Sequence, residues 1–307
     1  MAAQMGGVIT AAIHHAAETH LTTDPILAKL NQPDLLTMHV DFLYPCKPGD
    51  SIVTITALKI GKMACNLRLD VTQDDKLKAT ATVVSTNFDV SVGPSHPTAW
   101  KLLPAPPTKP DLDLIAAGKP EPNWVSFCIE AEILPIVTRF VSVVPRIGYP
   151  VDGICDYWLG YVDGRVHTTD IALFTDIIPS MTDTLLRNNG PYDAHRNNRE
   201  GMEFAKRNPG KMAVLPNKLE EAMKSTTISN TLTLDFEFKK RLPKEGERMI
   251  CMRSQTRVLK KGRLDLEVTM QDEGGELVCM ARQIIYALPS STKFGKGKGT
   301  SKAQANL

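Results

Sequence analysis

The two halves of this chain resemble one another, and this internal duplication limits the fold more than any other feature of the sequence. The segment HVDFLYPCKPGD in the first half corresponds to LTLDFEFKKRLPKEGE in the second, with Asp41 aligned on Asp235. Further along, the stretch around Gly61 corresponds to the stretch around Gly262. Self-similarity on this scale predicts that the 307 residues form two copies of one structural unit.

Each half begins with a helical segment, at residues 6–23 and 167–189, and continues with strands that alternate apolar and polar residues. One such strand places its side chains on two opposite faces: Cys65, Leu67, Leu69 and Val71 on one, and Asn66, Arg68 and Asp70 on the other. A sheet with one apolar face needs a cover, and the helix of the same half can supply it. We therefore predict an α+β fold in which each half is a helix followed by a long antiparallel meander.

Residues 93–122 separate the halves and contain eight of the chain's 21 prolines. Because proline fixes φ and lacks an N–H donor, this segment cannot form a central strand or a long helix, and we predict an extended linker. The predicted organisation is an N-terminal unit over 1–92, the linker, and a C-terminal unit over 123–289. A polar insertion occupies 190–224 of the second unit, and the basic, glycine-rich tail 290–307 is predicted to be disordered.

The overall composition argues against several classes of partner and location. A formal net charge of +2 gives no reason to expect a nucleic-acid partner, and no apolar run reaches the roughly 18 to 20 residues that cross a membrane. The six cysteines contain no C-x-x-C pair, which predicts free thiols and a cytoplasmic location. The last residues, ANL, are a distant variant of the peroxisomal S-K-L signal, so a peroxisomal location stays open.

Common catalytic and cofactor motifs are also missing from the sequence. The histidines and cysteines lack zinc-site spacing. No G-x-S-x-G elbow of a serine hydrolase is present, and no G-x-G-x-x-G follows a predicted strand. We therefore expect neither a metal nor an organic cofactor.

One acidic residue stands out, Asp176 in the apolar stretch IALFTDIIPS of residues 171–180. At helical spacing Asp176 falls on a polar stripe with Thr169 and Asp183. A position on the solvent-facing side of an amphipathic helix therefore accounts for this aspartate without a catalytic role. Pro179 favours the alternative, because a proline inside a helix removes a backbone hydrogen bond and kinks the helix beside the carboxylate. A kink at this point, on a face of small residues, would favour a cleft beside the Asp176 carboxylate.

The order of these motifs resembles the double-hotdog thioesterases, namely the bacterial acyl-CoA thioesterase II type and its fungal thioesterase-like relatives. GGVITAAIHHAA is similar to the glycine pair that opens the family's first helix, and HVDFLYPCKPGD is similar to the strand and turn that follow. IALFTDIIPS is similar to the segment that carries the catalytic aspartate, and TLTLDFEFKKRLP and GGELVCMARQ to the last strands. The resemblance covers roughly residues 6–92 and 123–288. It implies a double hotdog, in which each of two tandem units wraps an antiparallel sheet around a helix.

The resemblance also implies a site. In this family an aspartate, a threonine and a glutamine position a water molecule that attacks a thioester, and the matching residues are Asp176, Thr231 and Gln283. Thr233 is a neighbouring candidate for substrate binding, because a regular strand would place it on the same face as Thr231. Packing preference alone explains a strand threonine, and a lone strand glutamine is usually solvated, so the residues by themselves leave both roles open.

Gly6 and Gly7 are predicted to bind substrate through backbone N–H groups at the start of the first helix, where negative charge is favoured. A tight turn of the chain into the helix explains the glycine pair equally well.

Two departures from the family pattern bear on activity. Only five residues precede Gly6, so the first unit is expected to lack a strand, and the insertion at 190–224 lies between Asp176 and Thr231.

The function implied by the resemblance is hydrolysis of an acyl-CoA, or of a related acyl thioester, by a positioned water molecule. The expected reaction uses no metal and no covalent intermediate, and the expected assembly is a homo-oligomer. Two alternatives stay open. One is a non-catalytic acyl-binding or interaction protein of the hotdog fold, and the other is a tailoring enzyme of polyketide or fatty-acyl metabolism.

Overall fold

The structure is a computed structural model that describes residues 4–90 and 93–290. The tail predicted to be disordered lies, from residue 291 onward, outside the described residues. The first half contains one long helix, one 3₁₀ turn and four strands: α1 (Gly6–Thr23), the turn Ala28–Leu30, β1 (Asp34–Phe42), β2 (Ile52–Lys59), β3 (Asn66–Gln73) and β4 (Lys76–Thr86).

The rest of the described chain contributes five short or medium helices, a second 3₁₀ turn and nine strands. The helical elements are α2 (Leu112–Ala116), the turn Pro135–Arg139, α3 (Thr168–Phe174), α4 (Met181–Leu186), α5 (Ala194–Arg207) and α6 (Leu219–Ala222). The strands are β5 (Trp124–Ala131), β6 (Phe140–Pro145), β7 (Ile154–Tyr161), β8 (Ala213–Asn217), β9 (Thr227–Phe238), β10 (Met249–Gln255), β11 (Leu259–Lys260), β12 (Arg263–Gln271) and β13 (Leu277–Pro289).

All of these strands belong to one sheet, in the order β2-β3-β4-β1-β9-β13-β12-β10-β7-β6-β5-β8, with β11 paired to β12. β1 and β9 lie antiparallel and join the two halves, with Val40 opposite Leu234. On either side of this junction the order is the same, β1-β4-β3-β2 and β9-β13-β12-β10. The repeated order is what a duplicated unit requires.

The predicted simple meander is wrong in one respect, since β1 pairs with β4 and not with β2. The connection between β1 and β2 covers residues 43–51 and contains Pro45 and Pro48, so it does not form a tight hairpin turn. An extended segment of this length reaches roughly 30 Å, whereas three strand spacings require only about 15 Å. Residue alternation defines the faces of a strand but does not identify its neighbours.

The prediction of a helix over residues 6–23 is confirmed. α1 packs across the first four strands through buried side chains spaced four residues apart: Ile9, Ile13, Ala17 and Leu21. The alternation predicted for β3 is also confirmed, because Leu67 and Leu69 are buried while Arg68 is exposed. The helix therefore covers the apolar face of its own half of the sheet.

The predicted continuous helix over residues 167–189 is wrong. α3 ends at Phe174, and α4 begins only at Met181. Pro179 accounts for the break, because it has no N–H and disfavours the helical conformation of the residue before it. Asp176 therefore lies just beyond the end of α3, in a connecting segment, and does not belong to a polar stripe on a helix.

The predicted linker and insertion both pack on the C-terminal part of the sheet. Trp124 Nε1 donates to the carbonyl oxygen of Thr108 at 2.8 Å, and Arg253 Nη2 donates to that of Pro104, also at 2.8 Å. Within the insertion, β8 extends the sheet by pairing in parallel with β5, and α5 packs on both strands. The insertion is thus a folded wall of this unit.

Candidate active site

Asp176 lies where the N-terminus of α1 meets the end of α3. The backbone N–H of Gly7 donates a hydrogen bond to Asp176 Oδ2 at 2.8 Å, which links the two halves of the chain. Burial raises the pKa of the Asp176 carboxyl, and the hydrogen bond from Gly7 opposes that rise. Because a helix N-terminus carries partial positive charge, the contact with α1 favours the ionised form.

The two glycines that open α1 differ in how much space surrounds them. A Cβ atom on Gly7 would stand 2.7 Å from Asp176 Cβ and 2.8 Å from the carbonyl oxygen of Leu173, which is closer than folded proteins tolerate. A Cβ atom on Gly6 would stand 3.3 Å from the Phe42 ring and 3.5 Å from Asp176 Oδ2. The close approach of α1 to Asp176 therefore requires glycine at position 7, and position 6 is less restricted.

Gln283 and Thr231 join this site through the peptide that precedes Asp176. The Gln283 side chain is buried, and its Nε2 donates to the carbonyl oxygen of Thr175 at 2.6 Å. The hydroxyl of Thr231 donates to Gln283 Oε1 at 3.3 Å. The fold thus brings Asp176, Thr231 and Gln283, which are far apart in sequence, into one connected group.

The prediction that Thr233 shares a strand face with Thr231 is wrong. Ile285 of β13 lies opposite Thr231, while the adjacent Ile284 lies opposite Thr233, so β9 carries one extra residue, Leu232, in a β-bulge. The bulge shifts the side-chain alternation by one position. Thr233 consequently lies on the outer face of the sheet with the exposed Ile284, away from the buried group around Asp176.

A cavity of about 120 Å³ opens beside Asp176 in the C-terminal unit. Most of its walls are apolar or aromatic, and they comprise Phe127, Ile129, Leu134, Val137, Phe140, Val144, Tyr149, Tyr157, Ile177, Ile178, Pro179 and Tyr192. Of the three predicted catalytic residues, Asp176 alone is among the described residues that line it. A group held in this cavity therefore lies next to the carboxylate, as in apolar ligand sites with a few polar groups.

Several residues of the site carry no signal that a motif search could detect. Thr175 contributes a backbone carbonyl oxygen, which is independent of side-chain type. Tyr192 and Asn217 lie in the insertion, whose polar composition does not indicate that it borders a cavity. The alternating run AVLPN is the one local sign of the strand β8, whose pairing with β5 places Asn217 opposite Ala131.

Two further features concern metals and membranes. No group of three or more His, Cys, Asp or Glu side chains in residues 4–90 and 93–290 is arranged to hold a metal ion. Among the helices of these residues, none combines the length and the apolar character that crossing a membrane requires.

Models of known protein families match the chain as two successive domains. Residues 1–86 match the model described as the acyl-CoA thioesterase N-terminal domain. Residues 103–287 match the model described as the acyl-CoA thioesterase C-terminal domain. The second match alone covers more than half of the chain.

Individual relatives agree with these matches. The chain is 25% identical over 317 residues to the thioesterase-like protein TwmA of Talaromyces wortmannii, with 97% of this chain and 87% of that protein covered. A hotdog-fold protein of unknown function from Alicyclobacillus acidocaldarius has a similar structure, with a TM-score of 0.66 and 16% identity over 94% of this chain and 88% of that chain. The acyl-CoA thioesterase II TesB2 of Mycobacterium marinum gives a TM-score of 0.55 and 15% identity, over 94% and 90% of the two chains. The predicted hotdog fold is therefore confirmed, and the chain belongs to the acyl-CoA thioesterase family of thioester hydrolases.

Proposed function

We propose that this protein hydrolyses an acyl-CoA thioester and that Asp176 is the base that activates the attacking water. The water oxygen attacks the thioester carbonyl carbon while Asp176 takes one proton. Collapse of the tetrahedral intermediate breaks the C–S bond, and the proton passes to the departing sulfur. The products are a carboxylic acid and the CoA thiol, and a positioned base of this kind contributes about 10² to 10⁴ in rate.

The contact between Gly7 and Asp176 is the observation that carries this proposal. Asp176 lines the cavity, and its Oδ2 is held by the Gly7 N–H at 2.8 Å, so Oδ1 is the oxygen left to meet water. The positive end of α1 stabilises negative charge at this point. The same field favours the charge that develops on the carbonyl oxygen in the transition state.

Thr231 and Gln283 support the same reaction as positioning residues. The bond from Gln283 Nε2 to Thr175 fixes the orientation of the amide, so that Oε1 meets the Thr231 hydroxyl. A hydroxyl that donates one hydrogen bond retains lone pairs that can accept one from water. The Thr231 and Gln283 side chains thus form a chain of contacts that ends at the Thr175 carbonyl oxygen, in the peptide before the proposed base.

Release of free thiol from a panel of acyl-CoAs tests the role of Asp176. We expect Asp176→Asn to lower kcat by about 10² to 10⁴ because the base is lost. Asp163→Asn makes the same chemical change on an exposed loop of the same unit, and it should keep the wild-type rate. Turnover that survives Asp176→Asn unchanged would exclude Asp176 from the mechanism.

We also propose that the protein is a cytoplasmic homo-oligomer. Three large side chains on the outer face of β13 are exposed and support self-association: Ile284, Tyr286 and Leu288. The six cysteines are all unpaired, which suits a reducing compartment. Sedimentation that detects only monomer would contradict the first part, and accumulation of the tagged protein in peroxisomes would contradict the second.

A further inference from the structure

The cavity beside Asp176 extends along β6. Phe140, Ser142 and Val144 alternate along this strand, and all three line the cavity. The ring of Phe140 lies 5.5 Å from the ring of Phe174, which ends α3 two residues before Asp176. Phe140 therefore marks the end of the cavity next to the carboxylate, and Val144 lies about 13 Å farther along the strand.

The far end of the cavity is closed by α5, which belongs to the polar insertion. Asn198 Nδ2 donates to the carbonyl oxygen of Pro145 at 2.8 Å, so the first turn of α5 lies at the end of β6. Ala194 precedes Asn198 by one helical turn and therefore lies on the same face of α5. Ala194 and Asn197 both line the cavity. The insertion thus supplies the end wall, at the opposite end of the cavity from Asp176.

Ala194 is held in place at this wall. Its backbone N–H donates to Thr184 Oγ1 at 3.1 Å, which fixes the start of α5 against α4. Ala194 is 3% exposed, so its methyl group faces the interior of the protein. A larger side chain at this position would extend into the cavity, because the backbone cannot move away without losing the bonds made by Ala194 and Asn198.

The space between the carboxylate and this wall is limited. The cavity volume is about 120 Å³. An engineered apolar cavity of roughly 150 Å³ admits one benzene molecule. The cavity beside Asp176 therefore has room for about six carbon atoms, the number in benzene.

We propose that α5 limits the length of the acyl group, with Ala194 as a specificity-determining residue, and that the preferred acyl chain has about six carbon atoms. This inference rests on the proposed hydrolysis at Asp176, because the thioester must reach the carboxylate while the acyl chain runs along β6. Each methylene that enters the cavity adds apolar contact. A longer chain meets the first turn of α5 and holds its thioester away from Asp176.

Three CoA thioesters of different chain length test the limit. We expect kcat/KM for hexanoyl-CoA to exceed that for acetyl-CoA by about tenfold or more, because even one methylene in an apolar pocket changes this value by about 10- to 200-fold. Hexanoyl-CoA should exceed decanoyl-CoA by a similar factor, since the longer chain does not fit. A kcat/KM for decanoyl-CoA equal to or above that for hexanoyl-CoA would overturn the proposal.

Ala194→Leu assigns the limit to α5. The added carbons should fill the far end of the cavity and lower the ratio of kcat/KM for hexanoyl-CoA to that for acetyl-CoA by about tenfold or more. Activity on acetyl-CoA should stay close to wild type, which shows that the variant is folded. Ala116→Leu makes the same change at an exposed position of α2 and should keep the wild-type ratio. An unchanged ratio in Ala194→Leu would contradict the assignment.

A second variant changes the cavity in the opposite direction. Val144→Ala removes two methyl groups at the far end, so the ratio of kcat/KM for decanoyl-CoA to that for hexanoyl-CoA should rise at least about threefold. Val141→Ala makes the same change on the opposite face of β6 and should leave this ratio unchanged. Equal ratios in the two valine variants would contradict the path of the acyl chain along β6.

Binding separates this inference from the proposed reaction. Calorimetric titration of Asp176→Asn with hexanoyl-CoA and decanoyl-CoA measures recognition when turnover is suppressed. Binding of hexanoyl-CoA that is tighter by about tenfold or more would support the cavity limit even if the wild type hydrolysed neither thioester. Equal affinities would overturn the limit and leave the role of Asp176 in catalysis unaffected.

Discussion

Gln283 donates a hydrogen bond from Nε2 to the carbonyl oxygen of Thr175 at 2.6 Å, between residues 108 positions apart in the chain. This bond ties the last strand of the sheet to the peptide that precedes Asp176. Because Gln283 and Thr175 are both buried, no water molecule can replace the hydrogen bond to the Thr175 carbonyl oxygen if the amide is removed. The position of the proposed base thus depends on a residue that does not line the cavity.

Gln283→Met should impair both activity and stability, because methionine keeps the length of the side chain and removes its polar atoms. We expect kcat to fall about 10²-fold through misplacement of Asp176. The free energy of unfolding should fall by about 1 to 3 kcal/mol, since a buried carbonyl loses its donor. Thiol release and urea denaturation measure the two effects.

Gln271→Met is the matched control for that experiment. Gln271 also donates from Nε2 to a backbone carbonyl, that of Gly275 at 2.7 Å, but it does so in an exposed turn. Its replacement should leave kcat and stability close to wild type. Losses of equal size in the two variants would show that the bond to Thr175 has no special role.

The β-bulge in β9 predicts different outcomes for two neighbouring threonines. Thr231→Val removes the hydroxyl that meets Gln283, and kcat should fall about 10²-fold or more, as when a group that orients the reacting atoms is lost. Thr233→Val makes the same substitution on the outer face and should keep the wild-type kcat. Kinetics on the two variants decide between the bulged register and a regular strand, in which both substitutions would impair turnover.

This threonine pair also shows where sequence reasoning reaches its limit. The helix α1 and the alternation of β3 follow from local residue patterns, and the matching halves follow from the similarity of their sequences, so all three can be read directly from the sequence. A bulge at Leu232 depends on hydrogen bonds to a strand fifty residues away, and no local pattern records it. The parallel pairing that places Asn217 at the cavity is non-local in the same way. Pro179 predicted a kink in a continuous second helix, whereas the structure shows that the helix ends at Phe174 and that Asp176 lies beyond it.

Gly7→Ala should destabilise the protein and lower its activity together. The added Cβ would stand 2.7 Å from Asp176 Cβ and 2.8 Å from the Leu173 carbonyl oxygen, so α1 and α3 must separate. We expect a loss of about 1 to 3 kcal/mol in unfolding free energy, as in other overpacked interiors. Displacement of Asp176 by about 1 Å should also lower kcat by up to about 10²-fold.

Two other glycines complete this series. Gly6→Ala should be milder, because its Cβ would stand 3.3 Å from the ring of Phe42 and 3.5 Å from Asp176 Oδ2. Gly93→Ala is the control, since a Cβ there would meet nothing within 4 Å. Denaturation midpoints and thiol release should follow the order Gly7, Gly6, Gly93 in severity. A Gly7→Ala protein as stable and active as Gly93→Ala would contradict the contact with Asp176.

Asp176→Asn should make the protein more stable at neutral pH while it abolishes most activity. Burial raises the pKa of Asp176 in the folded state, so the folded protein retains this proton at pH values where the unfolded chain has released it. The carboxyl therefore stabilises the fold fully below its unfolded pKa of about 3.9, and that contribution is lost as the pH rises through the higher folded value. The asparagine side chain does not ionise, and its Oδ1 can still accept from the Gly7 N–H.

The expected result is a difference between two pH profiles of unfolding free energy. Other carboxylates titrate in the same range with the opposite sign, for example Asp272, whose pKa is lowered by its bond to Lys240 despite burial. Their effects cancel when wild type and Asp176→Asn are compared at each pH. The variant should be the more stable protein at pH 7, and its advantage should disappear near pH 4. If the wild-type protein is instead more stable than Asp176→Asn at pH 7, the ionised carboxylate stabilises the fold through its structural contacts. That result would contradict a carboxylate that destabilises the fold and is present for its function.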